Sequence, residues 1–151
     1  FAPHADVISA FTRKYSFVGP FGNASKIKFV LNHLVCVMTA ANAEAMAMGL
    51  KAGLAADDVF DLVKDSAANS VLWENRGPMM VSEDYTSSRG NFGMASKDGP
   101  VIGEFAQDMH FPAPIFQTAL QMHHAAVGMG MYDIDTAALC RLYETIGGIE
   151  R

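Results

Sequence analysis

The feature that most constrains the fold is an apolar pattern running from about Asn23 to Lys51. Apolar side chains recur there in steps of three and four residues, which is the period of one face of an α-helix. They are Ile27, Leu31, Leu34, Met38, Ala41, Ala45 and Met48. Because the flanks of this face are also apolar, the pattern predicts a long central helix that is buried nearly all round. Asn23 or Ser25 is expected to cap its start, and Gly49 or Gly53 to mark its end.

The rest of the chain after Asn23 predicts further helices and no strand. Helices are expected at 55–67, at 69–82 with a break at Gly77-Pro78, and at 94–109, 113–130 and 134–147. A polar loop is expected at 82–93 and a proline-rich corner at 110–114. The predicted fold class is therefore all-α, a helical bundle around one long central helix.

Residues 1–18 differ from this pattern. A short helix is followed by the strand-like letters YSFVG and a turn, which is typical of the last unit of an α/β domain. The chain begins at Phe1 and not at Met, and we interpret it as a fragment of a longer protein.

Composition argues against several classes of function. The formal net charge is −5 and no basic stripe is visible, so a nucleic-acid partner is not expected. No uninterrupted apolar run reaches the roughly 20 residues of a membrane-spanning helix, and no membrane partner is expected. Cys36 and Cys140 are far apart in apolar contexts, which favours a reducing cytoplasm over a disulfide framework. The histidines have no second ligand at a suitable spacing, so no metal is expected.

A polar stripe crosses the long apolar helix. At 100° per residue, Asn32, Thr39 and Asn42 all lie within about 40° of Lys28, whereas Lys26 lies about 200° away. A buried lysine without a partner is costly, so this stripe has two interpretations. Either Lys28 extends to solvent from the first turns of the helix, or it takes part in proton transfer in a cleft.

A second candidate site begins at Lys97-Asp98. This pair follows a glycine-bearing loop, where ligand contacts are common, but a charged pair at a helix start is also typical of a solvated end. The letters GPFGNAS lack the Gly-x-Gly-x-x-Gly spacing, so they are rejected as a dinucleotide-binding loop.

Two motifs together resemble the helical domain of the β-hydroxyacid dehydrogenase family, the 6-phosphogluconate dehydrogenase C-terminal-like fold. The family pattern Gly-x-Gly-x-x-x-Lys-x-x-x-Asn matches Gly22, Lys28 and Asn32, with Ala24 in place of the second glycine. The family's Lys-Asp pair matches Lys97-Asp98, with Gly99 where Leu is common. The resemblance covers about residues 15–150.

The resemblance implies an NAD(P)-dependent dehydrogenase of 3-hydroxy acids, which also reduces the matching semialdehyde. Residues 1–18 would be the remnant of an N-terminal Rossmann domain and its linker, and residues 19–151 an all-α substrate and dimerisation domain. NAD or NADP would be bound mainly by the N-terminal domain. A homodimer or higher homo-oligomer is implied, and the fragment alone is expected to be inactive.

The same resemblance implies the roles of individual residues. Lys28 would be the general acid/base at the substrate hydroxyl or carbonyl. Asn32 would orient the substrate and the lysine, with Gly22, Phe92 and Asp98 also on the substrate side. Lys97 would approach the cofactor.

Two alternatives stay open at this point. One is a non-catalytic helical dimerisation module, which expects Lys28 in open solvent, whereas the catalytic interpretation expects it in a cleft beside Asn32. The other is a relative that reduces a different bond, such as an imine.

Overall fold

The computed structural model describes residues 2–86 and 90–151, and these residues form an all-α fold, as predicted. The α-helices are α1 Ala5–Ser9, α2 Asn23–Lys51, α3 Ala56–Lys64, α4 Val71–Ser82, α5 Phe92–Asp108, α6 Pro114–Gly128 and α7 Leu139–Gly147. Short 3-10 helices lie at Ala2–His4 and Thr136–Ala138. Helices α3 to α7 all pack against α2, which confirms the bundle around a central helix.

Both ends of α2 are set by glycines with positive φ. Gly22 (φ +94°) is the N-cap residue, and no side chain caps the helix. The prediction of a cap by Asn23 or Ser25 is therefore wrong, because the Asn23 amide donates backwards to the Val18 carbonyl oxygen at 2.8 Å. At the other end Gly53 (φ +85°) follows the last turn, as predicted. A residue with a Cβ is strained at such φ values, so glycine suits both positions.

Burial divides α2 into two halves. Its second half is packed in the core through residues such as Ala43, Met46 and Gly49. Its first half leaves large apolar side chains exposed, namely Ile27, Val30, Leu31, Leu34 and Val35. The prediction that α2 is buried nearly all round is thus wrong for its first half.

By length and mean hydropathy alone, α2 could also cross a membrane. Core helices of soluble proteins pass the same test, so this property carries little weight. It is the one such helix among residues 2–86 and 90–151.

Helix α4 continues through Gly77-Pro78, where a break was predicted. Pro78 lacks an N–H and removes one backbone hydrogen bond from the helix interior. The packing around it compensates, because Trp73 and Met80 on either side are fully buried. The Trp73 indole also donates to the Phe60 carbonyl oxygen of α3 at 3.0 Å.

Two further predictions need correction. The strand-like letters YSFVG at 15–19 do not form a strand, because the chain has no regular secondary structure at 15–18 and bends at Gly19. The predicted loop at 82–93 ends earlier, because α5 begins at Phe92, and residues 87–89 lie outside the described part. An isolated antiparallel bridge joins Asn91 to Asp135 just before α5.

Candidate functional site

A cavity of about 220 Å³ lies where α2, α4, α5 and α6 meet. Its polar lining comes from elements far apart in sequence: Asn32 and Thr39 of α2, Arg76 of α4, Asp98 of α5, His123 of α6 and Thr136. Apolar side chains such as Ile102 and Phe116 complete the wall. A concave site with a few polar groups in an apolar wall is the usual form of a small-molecule site.

The structure brings together one residue from each of the two sequence motifs. The Asn32 Nδ2 donates to Asp98 Oδ2 at 2.9 Å, although the two residues are 66 positions apart. This bond orients the amide, so the Asn32 Oδ1 stays available as an acceptor and the carboxylate keeps an oxygen for another donor. Both residues line the cavity.

The other predicted site residues lie around this pair in different ways. Lys28 is exposed one turn before Asn32, and Lys97 is exposed directly before Asp98. Neither lysine lines the cavity. Lys97-Asp98 lies in the second turn of α5, because that helix begins earlier than predicted. Phe92 is fully buried in the core, and Gly22 caps α2. The cleft beside Asn32 is therefore present, but Lys28 is outside it in this chain.

A buried ion pair supports one wall of the cavity, and no sequence motif marks its two residues. Arg76 Nε donates to Asp135 Oδ1 at 3.0 Å, and its Nη1 donates to Thr39 Oγ1 at 3.1 Å. Asp135 also accepts from the Ala137 N–H at 2.9 Å, which caps the 3-10 turn. A charge as buried as Asp135 is stable only with such partners. The network fixes where Thr39 lies at the cavity wall.

His123 is the second functional candidate that the sequence did not reveal. It is 2% exposed, and its Nε2 lies 3.4 Å from the Cys36 carbonyl oxygen. Burial lowers its pKa to about 4; the Cys36 contact opposes this, and the charges of Arg76 and His124 add to it. The imidazole is therefore neutral near pH 7.

Cys36 also lines the cavity, but it is not a nucleophile. Burial raises the pKa of its thiol to about 11, so the thiol stays protonated near neutral pH. Only the thiolate is strongly nucleophilic. Cys36 therefore contributes its backbone carbonyl and its volume to the site.

Comparison with known proteins adds the chemical context. Residues 22–143 match the family model described as NAD-binding of NADP-dependent 3-hydroxyisobutyrate dehydrogenase. The chain belongs to the β-hydroxyacid dehydrogenase family. The NAD-binding description of the family model and the dehydrogenases among the relatives confirm the predicted cofactor class, NAD(P).

Individual relatives agree with this assignment. L-threonate dehydrogenase of Escherichia coli K12 is 34% identical over 143 residues, which are 94% of this chain and 47% of that enzyme. The crystal structure of a 3-hydroxyisobutyrate dehydrogenase from Salmonella typhimurium has a TM-score of 0.75 at 35% identity, covering 78% of this chain and 41% of that one.

A third match extends the structural comparison. The 3-hydroxyisobutyrate dehydrogenase of Mycobacterium tuberculosis, solved with L-serine, has a TM-score of 0.83. It covers 93% of this chain and 50% of that one at 20% identity, so it supports the fold alone. The chain spans about half the length of the relatives it matches.

Lys97 is the residue of this chain for which the family resemblance implies a contact with NAD(P). Lys97 is an exposed ammonium beside a cavity wall formed by Asn32 and Asp98. A lysine in this position suits an anionic dinucleotide, because it pairs as a point charge with phosphate or carboxamide oxygens. We propose Lys97 as the residue of this chain that contacts the cofactor.

Proposed function

We propose that the protein containing this chain is an NAD(P)-dependent dehydrogenase of small 3-hydroxy acids, working also as a reductase of the matching semialdehydes. The relatives are named for L-threonate and 3-hydroxyisobutyrate, which are both hydroxy acids. The observation that carries the proposal is the 2.9 Å hydrogen bond between Asn32 and Asp98, which joins the two sequence motifs at one cavity wall. A small hydroxy-acid substrate and a homodimer are the proposed partners, and the cytoplasm is the proposed location.

Lys28 is the proton donor and acceptor in this proposal. It lies one turn before Asn32 on α2, so its side chain extends along the same face of the helix. In reduction, the Lys28 ammonium stabilises the negative charge that develops on the substrate oxygen and gives it a proton. In oxidation, the lysine takes the hydroxyl proton back. NAD(P), when bound, accepts or supplies the hydride at the same carbon.

The remaining residues position the substrate. Asn32, held by Asp98, presents its amide oxygen to a substrate hydroxyl, while Gly22 allows the chain to turn into α2 just before Lys28. Phe92 is buried in the core and supports the site through His123, against which its ring packs edge-on with ring centroids 5.7 Å apart. Since the chain spans about half of its relatives, Lys28 would lie in a cleft that the other half completes.

The test is the Lys28→Ala variant of the full-length protein. Loss of general acid/base catalysis should lower kcat by about 100- to 10,000-fold, with circular dichroism and thermal unfolding unchanged. Lys26→Ala is the matched control, because Lys26 is exposed on the same helix about 200° away. Near-normal kcat in Lys28→Ala would show that Lys28 is not the catalytic group.

The non-catalytic dimerisation module is kept as a second candidate because Lys28 is exposed and the first half of α2 carries exposed apolar side chains. This candidate expects no NAD(P)-dependent turnover by the full-length protein with any hydroxy acid. A relative that reduces an imine would instead turn over imines in preference to hydroxy acids. The same assay with both substrate classes therefore separates the three functions.

A further inference from the structure

A side chain that lines the cavity carries a buried acceptor without a donor. The His123 Nδ1 is buried and has no hydrogen-bond partner among the described residues. The His123 Nε2 lies 3.4 Å from the Cys36 carbonyl oxygen, which can only accept, so we assign the ring proton to Nε2. Nδ1 therefore carries a lone pair in a side chain that lines the cavity. Leaving such an acceptor unpaired is costly, and a ligand hydroxyl would satisfy it.

Thr39 contributes the complementary donor. It is 1% exposed, lines the same cavity, and its Oγ1 accepts a hydrogen bond from Arg76. Because a guanidinium only donates, the hydroxyl hydrogen of Thr39 points away from Arg76. This hydrogen has no acceptor among the described contacts, in contrast to Thr118 and Thr145, whose hydroxyls donate to backbone carbonyls one turn earlier.

The pair of a buried acceptor and a buried donor matches the chemistry of an alcohol. A hydroxyl group donates once and accepts as well, so it can satisfy His123 and Thr39 together, whereas a methyl group satisfies neither. The cavity volume of about 220 Å³ is far more than one water requires, so there is room for part of a substrate.

We propose that His123 and Thr39 form a hydroxyl-binding subsite that selects hydroxy acids carrying an additional hydroxyl over those carrying an alkyl group. This inference rests on the proposed function, because the reacting end of the acid is placed near Lys28 and Asn32. The additional hydroxyl lies beside these two side chains, donates to His123 Nδ1 and accepts from Thr39 Oγ1. His123 and Thr39 are substrate-binding residues that determine specificity and take no part in proton transfer.

The first test is calorimetric binding of two acids to the full-length protein with reduced NAD(P)H present, which cannot accept a hydride and so leaves both acids unreacted. The probes are L-threonate, which has additional hydroxyls, and 3-hydroxyisobutyrate, which has a methyl group. Wild type is expected to bind L-threonate more tightly. His123→Phe keeps a ring beside Phe92 and should weaken L-threonate binding by about tenfold or more, with 3-hydroxyisobutyrate unaffected or tighter. His124→Phe is the matched control, since the neighbouring His124 is exposed and does not line the cavity.

The second test reads the subsite directly. In the full-length protein labelled with nitrogen-15 histidine, the His123 Nδ1 resonance should move when L-threonate is added and stay in place when 3-hydroxyisobutyrate is added. Assignment comes from the signal missing in His123→Phe. If the Nδ1 resonance does not move with either acid, only a trapped water occupies the subsite. That result would overturn the inference.

The outcomes separate this inference from the proposed function. The subsite would be disproved if His123→Phe lost affinity equally for both acids, or if the wild type bound 3-hydroxyisobutyrate more tightly. Either result would leave the proposed role of Lys28 unaffected. Failure of the wild type to bind either acid would count against both. Loss of turnover in Lys28→Ala together with unchanged acid binding in His123→Phe would leave the dehydrogenase proposal standing and remove the subsite.

Discussion

At the residue scale, His123 is neutral in the folded protein because its surroundings disfavour the charged ring. Burial is the largest cause of its low pKa, and the nearby charges of Arg76 and His124 act in the same direction. Phe92 packs against the ring edge and offers no compensating charge. A neutral imidazole keeps one nitrogen as an acceptor, which is the property that the proposed hydroxyl subsite uses.

The same low pKa predicts how stability depends on pH. Between an ordinary pKa of 6.5 and a folded-state pKa of about 4, the unfolded chain binds a proton that the folded chain does not. The free energy of unfolding should therefore fall as pH falls through this window. At about 1.4 kcal/mol per pKa unit, the contribution of His123 is roughly 3 kcal/mol.

The measurement is urea unfolding of the wild type and His123→Asn near pH 7 and about pH 4.5. The variant should lose much of the decrease seen in the wild type, whereas His124→Asn should retain most of it, because the charge of His124 is the smallest of the causes that lower the pKa of His123. Carboxylates titrate in the same range, but they are common to all three proteins and cancel in the comparison. An equal decrease in wild type and His123→Asn would show that His123 is not held neutral by folding.

Single residues of the site were predictable only where a local motif marked them. The sequence placed Asn32 and Asp98 as site residues, and the structure joins them by a hydrogen bond. No sequence motif marks Arg76, which lies in the segment ENRGP, as a site residue. His123 is likewise unmarked, because a single polar residue in an apolar helix is common. The roles of both depend on partners in other helices, and those tertiary contacts have no local sequence pattern.

At the element scale, close packing of α3 against α4 explains why α4 passes through Pro78 unbroken. Gly77 is buried, and a Cβ there would overlap the ring of Phe60. The absence of a side chain allows the two helices to approach, and the Phe60 ring then packs against Trp73 with centroids 6.2 Å apart. The burial gained at this contact outweighs the backbone hydrogen bond that Pro78 removes.

Gly77→Ala is therefore expected to destabilise the protein, although alanine is the better helix former. The added methyl group must displace an aromatic ring held between helices, which costs about 1–3 kcal/mol. Gly128→Ala at the end of α6 is the control, because nothing lies within 4 Å of a Cβ there. That variant should be neutral or more stable by up to about 1 kcal/mol. Thermal unfolding of both variants is the measurement, and a Gly77→Ala protein as stable as the wild type would refute the packing explanation.

Element prediction succeeded where periodicity was long and failed where tertiary packing decided. The span of α2 and its end at Gly53 follow from an unbroken helical period and a glycine with positive φ. The predicted break at Pro78 overlooked packing that a sequence pattern does not contain. The strand-like letters YSFVG at 15–19 have high strand propensity, but the chain there adopts no regular secondary structure, since propensity alone does not make a strand.

At the scale of the whole molecule, the site and the exposed apolar surface lie on the same helix. The second half of α2 is in the core, while the first half carries Lys28 and exposed residues such as Leu31 and Leu34. Contiguous exposed apolar side chains mark surfaces that bind other protein surfaces. The proposed cleft around Lys28 therefore needs a second protein surface to close it, and this chain spans about half the length of the related enzymes.

This arrangement predicts that the 151-residue chain alone has no dehydrogenase activity. Hydride transfer requires the nicotinamide to be held against the substrate carbon, and the contribution of this chain to cofactor binding is proposed to be Lys97 alone. We expect no production of reduced nicotinamide from L-threonate or 3-hydroxyisobutyrate with NAD or NADP, while the full-length protein turns over in the same assay. Circular dichroism of the chain should show a folded helical protein, so that inactivity is not a result of unfolding. NAD(P)-dependent turnover by the folded chain would contradict the proposal that NAD(P) is bound mainly by another domain, since this chain would then suffice for catalysis.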